Sequence, residues 1–343
     1  MRKLLNTLYV TIPEAYLALD GENVVVLKED ATLMRVPLHN LESIVTFGYA
    51  GASPALMGAC AKQEIALSFC TIYGRFLADV KGETHGNVLL RRTHYRFADD
   101  EEQSLNIAKN ILIGKLHNSR WVLERATRDY AERLDTEKIK RAAKFVADAI
   151  LGVQNSKTHQ NLMGVEGEAA NRYFSVFDEL ILQNKDVFFF RERNRRPPLD
   201  NVNALLSFIY TVLSHDVSAG LSVVGLDPFV GFLHKDRPGR RSLALDIMEE
   251  LRAPLADRFV LTLINTRQIA GNDFEQKENG AIILRDDARK TVLSAWQTRK
   301  RDLIVHPFLK EKIEWGLVPH VQALLLARYL RGDLDAYPPF LWK

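Results

Sequence analysis

The sequence predicts an α+β fold, with a small β-rich domain over 1–96 followed by a larger all-α domain over 97–343. Three observations carry this reading. Residues 1 to about 95 break into short runs rich in Val, Ile, Leu, Phe and Tyr, separated by turn residues. From about Asp99 onward, apolar residues recur at spacings of three and four instead. The length of 343 residues, with 47% hydrophobic and 26% charged, is ordinary globular composition and suits two domains better than one.

Taken in order, the runs LNTLYV, AYLALDGENVVVLK, LMRVPL, SIVTFG, EIALSFC and FLADVKG read as strands, and Asp20-Gly21 as a hairpin turn. One short helix interrupts them near SPALMGACAKQ. The boundary falls within His94 to Asp100, where HYRFADD gives way to helix-forming sequence. Beyond it, NIAKNILIGKLHNSRWVLERATRDY carries Ile107, Ile111, Leu112, Leu116 and Trp121 at helical spacings. Further helices follow at KIKRAAKFVADAIL, NLMGVEGEAANRYFSVFDELIL, NVNALLSFIYTVLSHDVSAGL, SLALDIMEELRAPLADRFVLTLI, ARKTVLSAWQTRKRDL and VPHVQALLLARYLRG. Pro254 is expected to kink the helix in which it sits. Residues from Asn265 to Asp287 read as an irregular loop with a small hairpin.

Several function classes drop out. No apolar run approaches the roughly 20 residues that span a bilayer. The N-terminal stretch lacks a small-residue cleavage site, so no secretory signal is expected. Cys60 and Cys70 are the only cysteines, without zinc-ligand spacing, and read as buried free thiols in a reducing cytoplasm. There is no internal repeat and no Gly-rich phosphate loop.

One carboxylate sits where a core side chain belongs. The segment Asn161 to Gln183 reads as an amphipathic helix, and Glu166 falls on its apolar stripe with Leu162, Met163, Ala169, Ala170, Tyr173, Phe174 and Phe177. Glu168 shares the opposite face with Asn171, Arg172, Ser175 and Glu179. An unpaired buried carboxylate costs roughly several kcal/mol, so a partner is required. The stretch GFLHKDRPGRRSLALDIMEELR is the expected source, since it offers His234, Asp246 and Glu249, residue types that hold a divalent metal. Asp246 and Glu249 lie three apart on one helix, and Asp246 with Glu250, four apart, would serve as well by geometry. Taken singly, each residue has an ordinary structural explanation: a hydrogen-bonded histidine, or acids near a helix start.

Charge is uneven within a net +3. RERNRR (Arg191 to Arg196) sets four arginines against Glu192, and KDRPGRR (Lys235 to Arg241) sets four basic residues against Asp236. The second cluster follows His234 directly, which suits a polyanion whose phosphates are neutralised where chemistry occurs. Two solvated surface loops would give the same charge pattern.

The wording of four motifs, in order, is more specific than their spacing. These are GVEGEAANRYF (Gly164 to Phe174), RRPPLDNVNALLSFIY (Arg195 to Tyr210), GLDPFVGFLH (Gly225 to His234) and GRRSLALDIMEELR (Gly239 to Arg252). On these the chain resembles the CRISPR-associated Cas1 family, metal-dependent endonucleases and integrases of spacer acquisition. KLHNSRWVL (Lys115 to Leu123) and LLRRTHYRFADD (Leu89 to Asp100) resemble the subtype of type I-C systems. The resemblance covers essentially the whole chain. It implies Glu166, His234 and Glu249 as metal ligands for Mg2+ or Mn2+, and Asp246 as an accessory catalytic acid beside the metal. The family often has Asp where Glu249 stands, and Glu250 follows the motif's acid by one residue. Asn203 and Tyr210 are implied to support the ligands, or else serve helix packing. Arg195, Arg196, Arg240 and Arg241 are the candidates for DNA phosphate contacts, since the planar arginine fork matches phosphate.

The implied activity is insertion of captured DNA into a CRISPR array, a 3′-hydroxyl attacking a repeat-boundary phosphodiester. The implied partners are double-stranded DNA, a second copy joined through the β domain, and a Cas2 dimer in a heterohexameric complex, in a prokaryotic cytoplasm. Two other functions are weighed beside it: a metal-dependent nuclease of branched DNA in repair, and a non-catalytic DNA-binding scaffold.

Overall fold

A computed structural model of the chain describes residues 7–343 apart from 30, 42, 64, 73–75, 81 and 83–87, with the Phe76 side chain also left aside. Leu5 and Asn6 of the expected opening strand, Glu64 and Lys81 of two later ones, and the first six residues of the N-terminal stretch lie outside the described residues. The fold is α+β, β-rich in its N-terminal part and mostly helical after it.

The chain divides into two compact units. The first comprises 1–86, 284–302 and 314–317. Its strands are β1 (Thr7–Val10), β2 (Tyr16–Asp20), β3 (Asn23–Lys28), β4 (Ala31–Pro37) and β5 (Ser43–Phe47), then helix α1 (Pro54–Lys62), β6 (Ala66–Cys70) and β7 (Phe76–Val80). β2, β3 and β4 form an antiparallel meander, with Asp20 opposite Asn23 across the first turn. Gly21 takes φ +58° there, a value costly for a side chain with Cβ. The other sheet runs β1-β5-β6-β7, parallel except for the last pair. Ser53 caps α1 by accepting from Leu56 N, and Pro54 opens the helix where no amide partner is needed. Leu17, Val24, Ile44, Leu56, Cys60 and Leu67 fill the core between these elements. Both cysteines are buried free thiols, and burial pushes Cys60 up to about 11.

The second unit comprises 87–283, 303–313 and 318–343. It begins with α2 (Val88–Asp99), α3 (Glu101–Asp129), α4 (Thr136–Asn155), α5 (His159–Phe174) and α6 (Asn201–Val224). α7 (Ser242–Leu251) leads through a π-helical turn, Arg252–Asp257, into α8 (Arg258–Asn265). A hairpin follows, β8 (Phe274–Gln276) with β9 (Ile282–Leu284); the chain then contributes α9 (Asp286–Lys300) to the first unit before the short pair β10 (Leu303–Val305) and β11 (Lys312–Glu314) and α10 (Val318–Leu330). Side-chain caps start the long helices: Asp100 accepts from two amides of α3, Asp135 from Lys138 N, Thr158 from Asn161 N and Asp200 from Asn203 N. Leu205, Leu206, Ile209, Leu213, Val217 and Leu221 of α6 are fully buried, each adding about 1.5–3 kcal/mol of transfer free energy.

Four features differ from the sequence expectation. The units divide at 86/87 rather than 96/97, because 88–99 is already helix, and α9 groups with the β-rich unit. Gln297 of α9 donates to Thr7 O at the edge strand, and Arg289 donates to Ile72 O. The helix expected over 161–183 stops at Phe174, where Phe174, Phe177 and Phe190 cluster and the chain tightens into a 3₁₀ turn. Pro254 lies in a π turn rather than a kinked α-helix, so its missing N–H falls where the regular ladder is already interrupted. Finally, α6 is long and apolar enough to cross a bilayer, contrary to the expectation of no such run, yet 67% of its apolar window is buried inside the protein.

Candidate metal centre and adjoining cleft

The implied ligands come from three places in the second unit: Glu166 on α5, His234 in the loop after α6, and Asp246 with Glu249 on α7. The His234 loop is held from several sides. Asp246, fully buried, accepts from the backbone amides of Phe232 (2.7 Å), Leu233 (2.9 Å) and His234 (3.0 Å). His94 Nε2 donates to Val230 O, while Ser104 Oγ and His159 Nε2 both donate to Phe232 O. Gly231 is required by crowding, since a Cβ there would lie 2.8 Å from Ser242 Cβ and 2.9 Å from Asp246 Oδ2. Loop shape and ligand direction are therefore set together.

The same carboxylate fixes the ring. His234 Nδ1 donates to Asp246 Oδ1 at 2.7 Å, which leaves Nε2 as the bare nitrogen, 4.0 Å from Glu249 Oε1. Asp246 thus spends both oxygens on the loop and the imidazole and acts through His234. Glu249, 4% exposed, is flanked by Arg252 at 3.1 Å and Lys115 at 2.8 Å. Burial drives its carboxyl upward, but Arg252 and then Lys115 outweigh that and hold it down at about 2. Glu249 Oε2 faces the Lys115 ammonium, and Oε1 faces Arg252.

Glu166 faces inward, as its stripe required, and Glu168 is exposed. Its direct partner is not the downstream stretch expected from the sequence. Lys115 of α3 donates to Glu166 Oε1 and so stands between Glu166 and Glu249. Burial pulls this ammonium toward neutrality, but Glu249 and Glu166 together hold it charged. Among the described residues, no three His, Cys, Asp or Glu side chains sit close enough to share an ion as they stand. The donor set nonetheless fits a divalent cation. Glu166 and Glu249 share one ammonium, His234 Nε2 faces Glu249, and both carboxylates are balanced by only two cations, Lys115 and Arg252.

Glu250, equal to Glu249 by spacing, points elsewhere. It accepts from Tyr337 Oη, Gln322 Nε2 and Phe340 N, and burial pushes it up to about 8. Asn118 of α3 ties the same region, donating to Glu250 O and Phe340 O.

A cleft opens from Lys115, Glu166 and Glu249 toward Arg193, Arg195 and Tyr210. Tyr210 and Tyr173 both donate to Asp257, whose carboxyl burial raises to about 6. The Arg252 and Arg193 guanidiniums lie 4.9 and 5.3 Å from the Tyr210 ring centroid, so Tyr210 supports the arginine that flanks Glu249. Asn203, fully buried, accepts from Arg193 Nη1 at 2.6 Å and donates to Glu192 O, shaping the arginine-rich loop. Arg195 lines the cleft and Arg196 is exposed. Arg240 is partly buried, whereas Arg241 is spent on His215 Nδ1 (3.3 Å) and the Phe229 ring. Sequence reasoning missed Lys115, Arg193, Arg252 and Asp257. Lys115 carried a signal, since it lies on the stripe Ile111, Leu112, Leu116, Ser119 and Val122.

Comparison with known proteins is consistent across sequence and structure. Residues 8–298 match the family model described as CRISPR associated protein Cas1. A Chlorobaculum tepidum protein named CRISPR-associated endonuclease Cas1 1 is 50% identical over 343 residues, all of both chains. The fold resembles a casposase bound to integration product, with TM-score 0.84 and 21% identity, covering 99% of this chain and 95% of that one. It also resembles a chain of a Cas6-RT-Cas1–Cas2 complex, with TM-score 0.82 and 24% identity, covering 99% of this chain and 36% of that one.

Proposed function

The chain belongs to the CRISPR-associated Cas1 family, and from that premise we propose that it is a metal-dependent DNA endonuclease and integrase that inserts captured fragments into a CRISPR array. The observation that carries this reading is His234, whose Nδ1 is held by Asp246 while Nε2 faces Glu249. Glu166, Glu249 and His234 would hold Mg2+ or Mn2+. When bound, the ion supplies Lewis acidity at the scissile phosphate and lowers the pKa of the attacking hydroxyl.

The remaining work falls to the chain itself. Asp246 fixes the imidazole orientation, and Arg252 keeps Glu249 ionised. Arg195 and Arg193, at the cleft, offer guanidiniums to phosphate oxygens. A 3′-hydroxyl in line with the phosphate gives strand transfer, and water in the same place gives cleavage. The type I-C subtype, a homodimer formed through the β-rich unit, a Cas2 dimer completing a heterohexamer, and a prokaryotic cytoplasm complete the proposal. Support for a Cas2 partner comes from the resemblance to the Cas1–Cas2 assembly.

The test is strand transfer of a 3′-hydroxyl DNA end into a repeat substrate by the purified protein, beside cleavage of branched DNA. Glu166→Ala, His234→Ala and Glu249→Ala are each expected to abolish both reactions while duplex binding persists. Near wild-type transfer by Glu166→Ala overturns the site, and cleavage without transfer leaves a branched-DNA nuclease.

A further inference from the structure

Lys115 is a charged side chain on the buried stripe of α3, only 14% exposed, whose ammonium, among the described residues, meets opposite charge only at two carboxylates. Those carboxylates are the two proposed acidic ligands. Its pairing with Glu249 Oε2, at 2.8 Å, is made by the tip of one long side chain, in contrast to the network of backbone amides around Asp246. A flexible four-carbon stem lets such an ammonium move a few ångströms without any backbone change. An ammonium and a divalent ion cannot share the same two carboxylates, because like charges a few ångströms apart repel strongly in a partly buried site. Lys115 also lines the cleft that holds Arg193 and Arg195, so displacement carries its charge toward the place proposed for phosphate.

We propose that Lys115 is a tethered cation that holds Glu166 and Glu249 together before metal arrives, yields them to the metal, and then serves the reacting phosphate. The inference rests on the metal-centre reading above. It accounts for a buried lysine between two acids in a fold that must be stable before metal binds.

Calorimetry with Mn2+ on the full chain, together with thermal melting in a chelator, tests it. Lys115→Met should bind Mn2+ about tenfold or more tightly than wild type, since no ammonium competes. In chelator it should melt lower than wild type, and saturating Mn2+ should raise its midpoint by more than it raises that of wild type. At saturating Mn2+ its strand transfer should fall by about a hundredfold. Lys115→Gln, which retains hydrogen bonding, serves if the methionine variant does not fold, with the same direction expected. Mn2+ affinity no tighter than wild type in a folded variant, or wild-type transfer at saturating Mn2+, overturns the inference while leaving the metal centre intact. Wild-type protein that binds no more Mn2+ than Glu166→Ala overturns the metal-centre reading and this inference with it.

Discussion

Asp246 Oδ1 accepts from both the backbone amide and the imidazole Nδ1 of His234, at 3.0 and 2.7 Å. One carboxylate oxygen therefore fixes where the loop runs and which ring nitrogen is left for a ligand. Asp246→Asn should be informative because it preserves shape. Four donors converge on Asp246, so an amide NH2 there must oppose at least one of them. The expected cost is about 2 kcal/mol of stability and about 10–100-fold in metal affinity. Urea unfolding and Mn2+ titration measure the two separately, and a variant unchanged in both would mean the oxygens are interchangeable with an amide.

Glu250 predicts a pH dependence of folding. In the folded protein it keeps its proton up to about 8, against 4.5 for the free side chain, because burial penalises its charged form. Folding thus takes up a proton between those values, and stability falls as pH rises through that window. Asp257, raised by burial to about 6 from 3.8, adds to the lower part of the same trend. Glu250→Gln mimics the neutral acid, so its urea midpoint should change less between pH 5 and pH 8 than that of wild type. Equal slopes for the two proteins would refute this.

The two arginine clusters should behave differently. Arg195→Ala with Arg196→Ala should weaken binding to all duplexes and flatten the slope of log affinity against log salt by about two units, if both touch phosphate. Arg240→Ala with Arg241→Ala should flatten it by about one. Arg241 is already engaged by His215 and Phe229, and its loss should appear as a lower melting temperature instead. Equal slopes for wild type and both pairs would make all four arginines bystanders.

Metal choice follows from the donors. One imidazole with two carboxylates favours Mn2+ over Mg2+, while Ca2+ prefers more oxygens in a looser shell. Strand transfer at equal low metal concentration should rank manganese above magnesium, with calcium inactive. Full activity in excess chelator would remove the metal from the mechanism.

The sequence made half of this centre readable. Glu166 announced itself as a charge on an apolar stripe, and Lys115 stood on an equivalent stripe of α3 where the same test finds it. The choice between Glu249 and Glu250 was closed to spacing arguments, since adjacent helical residues diverge by only about 100° and both are buried. What separates them is the segment around Tyr337 and Phe340, nearly ninety residues away in sequence. In the β-rich unit the hairpin of β2 and β3 was legible from Asp20-Gly21. The parallel pairing of β1 with β5 was not, because joining strands so far apart leaves no periodic mark in either.

The π-helical turn at Arg252–Asp257 sets the phase of the helix beyond it. In a straight α-helix the residue seven places on returns to nearly the same face, and the eighth lies about 80° away. Glu249 and Asp257 are eight apart, yet both line the cleft. The wide turn has absorbed one extra residue and handed its phase to everything downstream. A helix without that turn would carry Asp257 about 80° round from Glu249 instead of onto the same cleft. Deleting Ala253 would remove the extra residue and turn the apolar face of α8 by about 100° out of its core.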